Sequence, residues 1–90
     1  MNRAPSRTDL VEAHEYEIQR LRNAAIDQRT LARGYGSVGD AIHALPPEGP
    51  FHIQAREQLV IIAQERRREC VLTATQLEAR AEHLTEQGID

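Results

Sequence analysis

The chain has 90 residues and a net charge of −3, with 40% hydrophobic residues but only 3% aromatic. That length holds one small domain at most, no run of roughly 18 apolar residues offers a membrane span, and the negative charge argues against a general nucleic-acid binder. A single cysteine, Cys70, excludes an intrachain disulfide and points to a reducing, cytoplasmic setting.

Tyr16, Tyr35 and Phe51 are the only aromatic residues, so bulky core material is scarce. Small domains bury a smaller fraction of their surface, and oligomerisation is the expected remedy. All eleven basic residues are arginine. Arginine favours planar, bidentate contact with carboxylates or phosphates, although codon usage in a GC-rich genome gives the same pattern. Met1-Asn2-Arg3-Ala4-Pro5 lacks the apolar segment of a secretory signal.

Residues 1–8 read as a polar, basic, flexible lead-in. Asp9 with Glu12 fits a capping box, with Thr8 as the alternative cap. From there to residue 33 the pattern is helical. Val11, His14, Ile18, Leu21, Ala25, Gln28 and Ala32 form one stripe, broadened by Leu10, Ala24 and Leu31. Glu12, Glu15 and Glu17 near the start, with Arg29 and Arg33 near the end, suit the helix dipole. His14 on the stripe reads as a hydrogen-bonded polar residue that helps set register. Gly34 is expected to end this helix, and Gly34-Tyr35-Gly36 to form a flexible link. Ser37 then caps a short helix over 37–45 that carries Val38, Ala41, Ile42 and Leu45 inward. Pro46-Pro47 stops it, and Glu48-Gly49-Pro50 turns the chain.

The last helix spans 50–87, with Pro50 at its first position and Gly88 just past its end. Val60, Ala63, Arg67, Cys70, Ala74, Leu77, Ala81 and Leu84 alternate steps of three and four, a coiled-coil-like seam. Leu59-Val60-Ile61-Ile62 is apolar all round, so it needs more than one neighbour. The fold class is therefore all-α: an antiparallel hairpin of two long helices with a short connecting helix, completed by oligomerisation. A first helix of about 25 residues against a last helix of about 37 leaves an overhang of roughly 18 Å. That overhang exposes Leu77, Ala81 and Leu84, which with Leu59, Val60 and Ile62 of the all-round apolar run are the expected self-association residues, in a dimer or higher oligomer.

Few residues suggest chemistry. Gly34-Tyr35-Gly36-Ser37-Val38-Gly39 matches G-x-G-x-x-G but lacks the preceding strand of a dinucleotide site. An anion held by backbone N–H groups near Ser37 is the reduced reading. Arg66-Arg67-Arg68, with Arg56 earlier on the same helix, concentrates positive charge, but consecutive helical residues fan apart. Arg67 points at the seam and there needs a carboxylate or a ligand anion. Asp27, Glu57 and Glu65 are the candidate carboxylates. Arg66, Arg67, Arg68, Arg56 and Tyr35 are the candidate contacts for a ligand or partner. His14, His43, His52 and His83 show no metal spacing, and no catalytic motif appears. No metal, no cofactor and no enzymatic activity are expected.

Arg68-Glu69 followed by Leu72, Thr75, Leu77 and Glu78 is similar to a segment in the last helix of small phage proteins that sequester cyclic nucleotide immune signals. The resemblance implies a short, all-helical, oligomeric protein that captures a ligand between subunits. The chain departs from that pattern in having Glu82-His83-Leu84 where a tryptophan-containing continuation would follow, and in the long apolar run before Arg68.

The leading expectation is a non-enzymatic helical interaction protein that binds and regulates a macromolecular partner, as phage or bacterial adaptors and inhibitors do. The alternative is an oligomeric sponge for a phosphate-bearing small molecule such as a cyclic nucleotide. A DNA-binding regulator comes third, without helix-turn-helix spacing to support it.

Overall fold

Two antiparallel helices of equal length, α1 (Arg7–Ala44) and α2 (Pro50–Gln87), make up the computed structural model, which describes residues 4–88. Expectations that concern residues 1–3, 89 and 90, or the side chain of Phe51, lie outside the described residues.

α1 starts earlier than the sequence suggests. Ser6 is its N-cap: the Ser6 Oγ accepts from the Asp9 N–H at 3.2 Å, and the Ser6 N–H donates to the Asp9 carboxylate at 3.2 Å. Asp9 is thus the far member of the capping box and not its cap.

α1 also runs on without a break through Gly34, Gly36 and Gly39, so the expected stop at residue 33 and the separate helix over 37–45 are both corrected. Each glycine costs roughly 0.5–1 kcal/mol relative to alanine in a helix interior, which favours a break when the segment is read alone. Packing on α2 outweighs that local cost, as tertiary burial commonly does for helices. Gly39 is buried, and a methyl group added there would lie 3.4 Å from the Ala63 Cβ. At this position the glycine lets the two backbones approach.

The seam is built largely from small residues. Leu21, Ala25, Ala32 and Gly39 are buried on α1, and Ala63, Ala74 and Ala81 on α2. Val60, Cys70, Leu77 and Leu84 lie half-buried between them, so the spacing read from the sequence holds at every α2 position except Arg67.

Equal helices leave no overhang. His14 Nε2–H donates to the Leu84 carbonyl at 2.8 Å, and Arg22 Nη2 to Thr85 Oγ1 at 3.4 Å. Ala81 is 1% exposed. Leu77, Ala81 and Leu84 therefore belong to the seam within the chain and are not a surface left over for self-association. Val60 is likewise half-buried, whereas Leu59 and Ile62 remain exposed.

The turn follows its residues. Leu45 is extended, as the residue before a proline prefers, and Pro46-Pro47 cannot continue α1. Arg56 Nη1 donates to the Leu45 carbonyl at 2.8 Å, fastening the turn to α2. Gly88 closes α2 with φ 65°, a left-handed conformation that suits glycine.

The result measures 71 × 28 × 13 Å, a plate one helix thick with two broad faces. Contacts across the seam identify them. Arg22–Thr85 and Arg29–Glu78 lie one heptad apart on both helices and mark one face. The charge of Arg80 acts on Glu17 along the opposite edge and marks the other.

Candidate functional site

On the face marked by Arg29–Glu78, an open groove of about 730 Å³ runs between the helices over Gly36. α1 supplies Arg29, Arg33 and Asp40 to its wall, and α2 supplies Arg67 and Val71. Arg67 occupies a seam position yet is exposed. Its side chain leaves the seam by lying over Gly36: a Cβ built at Gly36 would sit 3.6 Å from the Arg67 Cδ and Nε. A seam arginine thus keeps its charged head in water by leaning along its apolar stem. The carboxylate expected to neutralise it from Asp27, Glu57 or Glu65 is replaced by solvent.

Among the described residues, Arg33, Arg67, Arg68 and Arg80 make no hydrogen bond or ion pair, whereas Arg7, Arg20, Arg22, Arg29, Arg56 and Arg66 each have a partner. Arg33 and Arg67 line the groove, and Arg67 and Arg68 line its shallow continuation along α2 toward Thr75. Three of these four guanidiniums therefore converge on one stretch of one face, and Arg80 lies on the other. Arg29 is engaged, with Nε donating to Glu78 Oε2 at 3.1 Å. Its guanidinium holds the Glu78 carboxyl below the ordinary glutamate value, first through the hydrogen bond and then through its charge. Asp40 brings a negative charge to the same wall. Beside it the groove narrows to a recess of about 230 Å³ among Tyr35, Gly39, His43 and Arg67.

Guanidiniums without carboxylate partners retain their fork of N–H donors, the geometry that grips carboxylate and phosphate oxygens. The arrangement can hold an anion. Among the described residues no group of three or more His, Cys, Asp or Glu side chains could hold a metal ion.

Of the five residues singled out for contact, Arg67, Arg68 and Tyr35 meet on this face. Arg66 does not. It projects to the other face and donates to Glu69 Oε2 at 3.2 Å. Arg56 is the clamp of the turn and lies eleven residues from Arg67, roughly 16 Å along the helix. The glycine motif lies inside α1, where its N–H groups belong to the helix, so no helix N-terminus exists at Ser37 to hold an anion. Arg33 and Asp40 escaped the sequence reading. Their proximity to Arg67 depends on α1 continuing past Gly34, and the signal that finds them is the heptad register carried through the glycines.

Comparison with known families, curated proteins and solved structures returns no match. Among the described residues, no helix is long and apolar enough to cross a membrane.

Proposed function

We propose that the chain is a non-enzymatic helical interaction protein that grips an acidic surface of a macromolecular partner through the groove over Gly36. One observation supports this above the others. In a chain with a net charge of −3, three of the four described arginines without a hydrogen bond or ion pair, Arg33, Arg67 and Arg68, gather at the same groove, while Arg80 alone of the four lies elsewhere. Arginine hydrogen-bonded to carboxylates is the strong, directional form of such recognition. Two exposed helices offer the long, flat contact that a protein partner needs.

A fluorescent oligo-glutamate peptide tests the reading by anisotropy. Binding is expected to weaken steeply with salt, because the contacts are solvent-exposed charges. Arg67→Ala is expected to weaken it roughly 10-fold. Arg66→Ala, the adjacent residue on the opposite face, is expected to leave it unchanged. Equal loss in both variants would reduce the effect to bulk charge and end the proposal.

The recess beside Tyr35 favours one second reading, a phosphate-bearing small molecule in the same groove. Its signature is a rise in melting temperature with pyrophosphate, by linkage to the folded state, that disappears in Arg67→Ala. If the peptide binds and pyrophosphate does not, the macromolecular reading stands alone.

A further inference from the structure

The broad face opposite the arginine groove carries a different pattern. Leu31, Val38 and Leu45 follow one another at steps of seven along α1, a line of roughly 21 Å. Leu59 stands three heptads before Arg80 on α2, on the side of the seam away from the Arg29–Glu78 pair. Leu45 and Leu59 line one recess there, and Ile62 follows Leu59 on the same side of α2. Exposure of these five side chains is 50% at Leu31, 52% at Val38, 60% at Leu45, 50% at Leu59 and 51% at Ile62.

We infer that this face seats a second copy of the chain, closing a four-helix assembly. The inference concerns a different face and does not rest on the proposed function. Three observations select a copy of the chain as the occupant. Among the described residues no large side chain is fully buried, the core being one leucine and small residues, so apolar material able to form a core stands outside it. The five strip residues are uncharged, Glu48 and Arg56 share the recess of Leu45 and Leu59, and heptad position places Arg20, Arg66 and Arg80 with Glu17, Asp27 and Glu69 around them. Such a face has no net charge and can meet its own image across a twofold axis. The opposite face cannot do so as easily, because the unpaired Arg33, Arg67 and Arg68 of two copies would be brought together. Finally, a face 71 Å long and 28 Å wide exceeds the roughly 800 Å² per partner that stable interfaces bury. Pairing there leaves both arginine grooves on the outside of the assembly.

The test is mass in solution by light scattering from micromolar to millimolar concentration, with far-UV circular dichroism to confirm helix content. Wild-type protein is expected at twice 10.2 kDa. A mass of one chain throughout, or of three or more, overturns the inference. Ile61 and Ile62 then locate the face, being adjacent and 52% and 51% exposed on opposite sides of α2. Ile62→Glu is expected to weaken the dimer roughly 100-fold or more, since the change enters the interface twice, and Ile61→Glu to leave it intact. The reverse order, or a dimer that survives Ile62→Glu, overturns the assignment. Should Ile62→Glu lose its helix content, Leu31→Glu at the far end of the strip is judged by the same outcomes.

Discussion

A methyl group added at Gly34 would meet nothing within 4 Å, whereas at Gly39 it would stand 3.4 Å from the Ala63 Cβ. The two glycines therefore answer the same substitution differently. Gly34→Ala removes the entropic cost of glycine in a helix without introducing a contact, and is expected to stabilise the protein by about 0.5–1 kcal/mol. At Gly39 the same gain is offset by crowding at the seam, so Gly39→Ala is expected to gain less. Thermal unfolding of both variants beside wild type checks the order. The Arg29–Glu78 pair gives a prediction with a sign. The folded Glu78 carboxyl lies below the ordinary 4.5, so near that pH the unfolded chain binds protons more readily than the folded one. The pair's contribution is fully present above pH 4.5 and is lost as pH falls through the lowered value. Both side chains are solvent-exposed, which keeps the effect small and sensitive to salt. In an NMR titration, Arg29→Gln is expected to raise the Glu78 midpoint toward 4.5, and an unchanged midpoint would mean that the pair does not form in solution.

Between the two elements, alanine sets the spacing. Ala74 is 0% exposed at the seam, while Ala79 faces outward on the same helix. A leucine at position 74 must push the helices apart or take a strained rotamer, and Ala74→Leu is expected to cost about 1–3 kcal/mol. Ala79→Leu is expected to change stability by less than about 0.5 kcal/mol. Denaturant midpoints with unchanged slopes would measure both. The seam was legible from spacing alone, because alternating steps of three and four survive whatever the side chains are. Pro46-Pro47, Pro50 and Gly88 were legible for the same local reason, since each restricts its own backbone. The continuity of α1 was not. Three glycines in six residues weaken a helix locally, and the burial that carries it through comes from α2, more than twenty residues away in sequence. The expected overhang followed from that one break, and with it the mistaken role for Leu77, Ala81 and Leu84. Arg67 stood out in the sequence as a charge at a seam position. Arg33 did not, because it looked like the last, dipole-favoured residue of a shorter helix.

For the whole molecule, shape follows from the same continuity. A chain of this length folded into a compact globule would have a radius of gyration of about 12 Å. The hairpin has 20.7 Å, since two uninterrupted helices lie side by side and none of the described residues folds back over them. A break at Gly34 would let residues 37–45 swing onto α2 and shorten the plate, moving the value toward the compact limit. Small-angle X-ray scattering on the Ile62→Glu chain separates these cases, because the substitution lies outside the seam and is expected to leave a single hairpin if two copies pair through the proposed face. A radius near 20.7 Å with a longest dimension near 71 Å is expected. A value closer to about 12 Å would show that the glycines bend α1 in solution. The register that joins Arg33 to Arg67, and the groove built on it, would then fail together.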